Sequence, residues 1–133
     1  MKLQIIYIFS KQLSHTYYTS LTRNCLVQKY IYINVSCIYF RCGAGSWSFD
    51  IATTYPLAKV IGLDISPIQS THIKPKNFEF IKANAQEGLP FDDNTFDFVF
   101  QRFLLVGYAK EKWPYVINEI VRVLKPGGFL ELC

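Results

Sequence analysis

Gly43 and Gly45 stand between a short apolar run, Cys37 to Phe40, and a stretch of helical character that begins near Ser46. A second apolar run, Ala58 to Leu63, ends in Asp64, 21 residues beyond Gly43. No other feature constrains the fold as much. Glycines allow a tight strand-to-helix turn and let backbone come close to a bound molecule. If the two apolar runs are neighbouring parallel strands, the carboxylate ending the second faces the same crevice as the glycine turn. A carboxylate there can accept two hydrogen bonds from the hydroxyls of an adenosine ribose. The spacing is near that of a βαβ nucleotide-binding unit.

The chain beyond continues the alternation. Ser46 or Ser48 can cap a helix running to about Thr54, with Phe49, Ile51 and Ala52 inward and Pro56 ending it. Ser66-Pro67 opens a short helix, serine as N-cap and proline in the first turn. Phe78-Glu79-Phe80-Ile81 alternates and reads as a third strand. Phe96 to Phe100, apolar apart from Asp97, is a fourth. Asp92 and Asp93 form a turn before it. Pro114 starts a helix whose apolar face is Val116, Ile117, Ile120, Val121 and Leu124. Pro126-Gly127-Gly128 stops that helix, and Phe129 to Leu132 is a fifth strand. Strands alternating with helices predict an α/β, Rossmann-like parallel sheet of about five strands, with helices on both faces and right-handed crossovers.

The first part of the chain is unlike the rest. All seven glycines and all six prolines lie beyond residue 42, so the opening stretch lacks the turn residues that punctuate ordinary domains. Its polar residues keep neither a helical nor a strand period. Residues 1–36 are therefore expected to be foreign to the fold, either a lineage-specific extension or translated non-coding sequence, with the domain proper at 37–133. A length of 133 residues suits one domain, and 50% hydrophobic residues suffice for a core. The net charge of +4 comes from Lys2, Lys11, Arg23 and Lys29, because ten acids and ten bases balance from Arg41 onward. Bases scattered in this way argue against a nucleic-acid partner. No uninterrupted apolar run approaches the roughly 18 residues of a membrane span. The Ile5-to-Phe9 run after Lys2 is too short for a signal peptide and lacks a cleavage site. The sequon Asn34-Val35-Ser36 falls in an expected strand and is discounted. Cys25, Cys37, Cys42 and Cys133 form no CxxC pair, and only His15 and His72 could join them, so no metal site is expected. Free buried thiols suit a reducing compartment, taken as the cytoplasm.

Four blocks, in order, resemble the class I S-adenosylmethionine-dependent methyltransferases. They are Cys42-Gly43-Ala44-Gly45, Gly62-Leu63-Asp64-Ile65-Ser66, the run from Leu89-Pro90-Phe91-Asp92-Asp93 through Val99, and Leu124-Lys125-Pro126-Gly127-Gly128-Phe129. The resemblance spans residues 37–133. It implies S-adenosyl-L-methionine as cofactor and methyl transfer to an acceptor, expected to be a small molecule. It also implies that Cys42, Gly43 and Gly45 pass beneath the methionine part, that Asp64 holds the ribose hydroxyls and that Ile65 lies against adenine. Asn84 and Ala85 stand where the family usually places an acid that reads the adenine amino group; an amide oxygen can accept the same bond. Gln101 and Arg102 would border the methyl-transfer cavity, or else begin a solvated helix. No His–acid pair lies near the expected crevice, so no catalytic base is named, and His72 is assigned to a surface helix.

The chain departs from the family pattern in two ways. Tyr39 replaces an acid that helps bind the cofactor's ammonium, and Arg41 replaces a glycine. Loss of such a charged hydrogen bond costs about 1.5–3 kcal/mol. The family sheet also carries two strands beyond strand five that this chain lacks, which would leave strand five an open edge. An inactive, truncated Rossmann-like module with impaired cofactor binding is the alternative these departures raise. A nicotinamide-dependent oxidoreductase is a weaker one, since Ser48 stands where that fingerprint needs its third glycine. Oligomeric state and the nature of the acceptor are left open.

Overall fold

Strands buried at nearly every position on both faces form the middle of the sheet. The computed structural model describes residues 7–8, 17–18, 35–40, 42–68, 74–101 and 108–132. Arg41, Arg102, His15, His72, Cys25, Cys133, Asn34 and most of the short helix expected after Pro67 lie outside these. Strands β1 (Tyr7–Ile8) and β2 (Tyr17–Tyr18) pair antiparallel. The main sheet comprises β3 (Ser36–Phe40), β4 (Lys59–Asp64), β5 (Phe78–Lys82), β6 (Phe96–Gln101) and β7 (Leu124–Leu132). Its order is β5-β4-β3-β6-β7, and every neighbouring pair is parallel. Helix α1 (Ser46–Thr54) follows β3, and α2 (Trp113–Val123) precedes β7.

Two apolar layers hold the sheet. On one face Cys37, Tyr39, Val60, Phe98 and Phe100 pack with Ala52 of α1. On the other Ile38, Phe40, Ile61, Leu63 and Val99 pack with Val116, Ile120 and Val123 of α2. Adjacent positions on β3 thus serve opposite faces, as the two-residue strand period requires, and a helix covers each. This is the Rossmann-like architecture expected. No helix among the described residues is long and apolar enough to cross a membrane.

Three local expectations are corrected. Neither serine caps α1: Gly45, in left-handed geometry, occupies the N-cap with no side-chain bond, and Ser48 is buried within the helix. The glycine turn delivers the chain already aimed into the helix, so no hydroxyl is needed. Secondly, Pro126-Gly127-Gly128 does not separate α2 from its strand. Helix α2 ends at Val123 and β7 begins at once, with Leu124 opposite Phe96. The register shifts before Phe129 meets Phe98, so the Pro-Gly-Gly forms a bulge inside β7. At Gly128 a Cβ would sit 2.8 Å from Leu124 Cδ1 and 3.0 Å from the Asp97 carbonyl, which explains the small residue. Thirdly, Leu124 belongs to β7 rather than to the helix face, although it is fully buried as expected.

The segment between β5 and β6 is tied down by one cation. Arg122 on α2 donates to the Leu89 carbonyl at 3.0 Å and the Phe91 carbonyl at 2.8 Å. It also pairs with Glu119 at 2.8 Å and Asp93 at 2.9 Å. Glu119 in turn accepts the Leu89 N–H at 2.9 Å. Asp93 thus lies in a turn, as expected, and Asn94 takes φ 56 there.

Candidate functional site

Strand order reverses between β3 and β6, because the chain runs outward through β4 and β5 and then returns to the other side of β3. Ligands of open parallel sheets bind at the carboxyl ends of the strands flanking such a reversal. The turn 42–45 leaves β3 at that edge. Gly43 has φ 54 and Gly45 φ 84, both in the left-handed region that glycine enters without steric cost. The Gly45 N–H donates to the Cys42 carbonyl at 2.9 Å, and the Phe49 N–H to the Gly45 carbonyl at 2.8 Å. Cys42 N–H bonds the Leu63 carbonyl at 3.2 Å, which continues the β3–β4 ladder one step past the strand.

Asp64 meets that turn directly. Its Oδ2 accepts the Gly43 N–H at 2.9 Å, and its Oδ1 accepts the Ser66 N–H at 3.1 Å. A carboxylate offers about four acceptor positions, so each oxygen keeps one for another donor. Two backbone bonds fix the orientation of the group, and the remaining positions form a preset fork. The two glycines near it differ in kind. A Cβ built on Gly43 meets nothing within 4 Å, so the turn borders open space. A Cβ on Gly62 would lie 2.9 Å from Cys42 Sγ and 3.0 Å from the Phe78 ring, so that glycine serves packing.

The other sequence-derived candidates lie around this edge with differing commitments. Ile65, 62% exposed, stands beside Asp64, and Ile68 is exposed to a similar degree. Asn84 follows β5, one residue past Ala83, whose N–H bonds the Asp64 carbonyl at 3.1 Å. Its side chain is partly occupied by its own loop: Oδ1 accepts the Gln86 N–H at 3.1 Å and Nδ2 donates to Glu87 at 2.8 Å. One acceptor position on Oδ1 is left. Ala85 turns into the core, so only its backbone can face the crevice. Gln101 ends β6 fully buried, and its Nε2 donates to the Tyr108 hydroxyl at 2.8 Å. It belongs to the strand, not to a solvated helix start.

Beneath the glycine turn lies an aromatic floor. Trp47 stacks on Phe100 with centroids 4.2 Å apart, and Tyr39 sits 4.9 Å from Trp47 and 5.1 Å from Phe100. Tyr39, at the place of the expected acid, is thus a packing residue among rings. Sequence reasoning missed two anchors. Asn77 shares its Nδ2 among the carbonyls of Ala52, Tyr55 and Ala58, at 2.8–3.1 Å, and so ties the end of α1 to β5. Tyr108 was not singled out because its partner Gln101 lies across an intervening segment. An asparagine just before a strand and a tyrosine seven residues past the end of one carry no spacing signal.

The methyltransferase domain family matches residues 40–128, and the chain belongs to that family. It is 42% identical over 98 residues to a demethylmenaquinone methyltransferase of Lactococcus lactis, covering 65% of this chain and 36% of that protein. Among solved structures it resembles the PH0226 protein of Pyrococcus horikoshii, with 31% identity and a TM-score of 0.69 over 80% of this chain and 52% of the other. It shares the fold of Haemonchus contortus phosphoethanolamine N-methyltransferase 1, solved with phosphoethanolamine and S-adenosylhomocysteine. That match has 18% identity and a TM-score of 0.64, over 76% of this chain and 22% of that one. The chain therefore spans about a third of the length of the Lactococcus relative.

Proposed function

We propose that residues 37–133 bind S-adenosyl-L-methionine and serve its methyl transfer to a small-molecule acceptor, residues 1–36 being an addition to that module. The bond from Gly43 N–H to Asp64, with open space above Gly43, carries this reading. It brings a ribose-binding carboxylate and a side-chain-free turn to one side of the strand-order reversal. Asp64 would accept the two ribose hydroxyls at its remaining positions. Cys42, Gly43 and Gly45 would underlie the amino-acid end, Ile65 would cover adenine, and Asn84 Oδ1 would accept from its amino group. The bound cofactor supplies the electrophilic methyl and the leaving group. The protein contributes alignment and exclusion of water. The names of the Lactococcus and Haemonchus proteins support the reaction class.

Calorimetry with S-adenosylhomocysteine and with NADH tests the proposal. The expected result is binding of the former alone, abolished in Asp64→Ala; preference for NADH would overturn it. A second reading, a module with weakened cofactor binding, is favoured by the packing of Tyr39 among Trp47 and Phe100. If it holds, the double change Tyr39→Asp and Arg41→Gly raises affinity for S-adenosylhomocysteine, and unaltered affinity would count against it.

A further inference from the structure

Strands β5 and β7 are the outer strands of the main sheet, and they are finished differently. Strand β5 has five residues and holds Glu79 and Lys82 exposed, with Glu79 paired to Lys59 at 3.3 Å. Charges on a short outer strand discourage the addition of another strand. Strand β7 runs nine residues without that protection. Lys125 directs its charge inward to Asp97 at 2.9 Å, and no residue from Phe129 to Leu132 is exposed, Glu131 included. The backbone of β1 lies close by: Cα atoms of β1 stand within 8 Å of Cα atoms of β7. Strands stacked face to face lie about 10 Å apart, whereas neighbours within a sheet lie about 4.8 Å apart. An approach this close fits the side of β7 turned away from β6, not a second layer over its face. Strand β1 does not join the five-stranded ladder; it pairs with β2, Tyr7 opposite Tyr18 and Ile8 opposite Tyr17. A two-stranded hairpin is marginal in water, so this one needs a surface to rest on. Charge agrees with the placement. Glu131 is the one acid of β7, and residues 1–40 hold four Lys or Arg residues and no acid.

We propose that the hairpin of β1 and β2 guards the edge of the main sheet, lying along the outer side of β7 and keeping that strand from pairing with a second copy of the chain. This gives the N-terminal segment a part in the fold, and it holds whatever the crevice binds. In a parallel ladder, alternate residues of a strand turn their backbone groups to opposite neighbours. Half of the β7 amides therefore face β6, and the other half face the side where β1 lies. Only the second half should depend on the hairpin.

Amide hydrogen exchange on the full chain, read by NMR, supplies the test. The double variant Tyr7→Pro/Ile8→Pro removes both N–H groups of β1, so the hairpin can no longer pair. Wild type should protect the amides of Phe129 to Leu132. In the variant, alternate amides of that run should exchange about tenfold faster or more, while the others, and those of Val60 to Leu63 inside the sheet, keep their wild-type rates. The sedimenting mass of the variant should also rise above that of wild type at equal concentration, because an uncovered edge is a template for another strand. Unchanged exchange over Phe129 to Leu132, or an unchanged mass, overturns the inference. So does wild-type protection that grows with protein concentration, which would assign the edge to a second copy of the chain. Should the variant fail to fold, wild type alone decides: nuclear Overhauser contacts must link the backbone protons of residues 7 and 8 to those of β7, and their absence refutes the inference.

Discussion

Gly43→Ala separates what the glycine does for the fold from what it does for a ligand. The residue has φ 54, so alanine there pays the left-handed penalty of about 1 kcal/mol. It pays no more than that, because the added Cβ meets nothing within 4 Å. For a domain of this size the melting temperature should fall by about 4 °C. The methyl would nevertheless occupy the space proposed for the cofactor's amino-acid end. Affinity for S-adenosylhomocysteine should drop at least about tenfold, or roughly 1.4 kcal/mol. Gly127→Ala is the control. Its φ of 79 imposes a like backbone requirement, but at the opposite edge of the sheet, so stability should fall and affinity should not. Calorimetry and thermal melts on the three proteins decide the matter. If Gly43→Ala binds S-adenosylhomocysteine as tightly as wild type, no ligand lies over the turn and the reasoning is wrong.

Other consequences follow from side chains away from the turn. Hydrogen bonds from Arg122, and secondarily from the Leu89 N–H, hold the Glu119 carboxyl below the usual carboxylate range. A depressed acid stabilises the fold above its unfolded-state pKa near 4.3 and loses that contribution as pH falls through the folded value. The melting-temperature gap between wild type and Glu119→Gln should therefore be open at pH 7 and close below about pH 4; a gap that does not change with pH would refute the assignment. Burial, and then the charge of Asp97, pushes the Cys37 thiol up to about 12. Mass spectrometry after iodoacetamide at pH 8 should find Cys37 unmodified in the folded chain and alkylated in urea, whereas rapid labelling without urea would contradict its packing. Tyr39→Asp removes a ring packed, tilted, against Trp47 and Phe100 and buries an acid in its place, which should cost about 3 kcal/mol or more in urea unfolding. A smaller loss would mean that the aromatic floor contributes little.

The parts of this fold that were legible in the sequence are those in which one residue type has one physical use. Continuous apolar runs announced β3, β4 and β6 and one alternating stretch announced β5, while Gly43, Gly45 and Asp64 announced the crevice, because a left-handed turn and a strand-end acid each leave a local mark. Parallel pairing then brings Asp64 to the turn without further instruction. Where several residues could do one job, the sequence misleads. Serines beside a helix start suggest a hydroxyl cap, yet the backbone of Gly45 already satisfies the geometry. Pro126-Gly127-Gly128 reads as a stop between elements, but pairing of Leu124 with Phe96 draws the strand back to the end of α2 and turns the motif into a bulge. Asn77, Arg122 and the Gln101–Tyr108 pair act across long or unpatterned separations, so nothing periodic marks them.

The most direct test is a crystal of the chain grown with S-adenosylhomocysteine. The account predicts ribose hydroxyls within hydrogen-bond distance of both Asp64 carboxylate oxygens and the amino-acid end of the ligand lying over Gly43. Density for the ligand elsewhere, or an empty crevice at saturating ligand concentration, would contradict it.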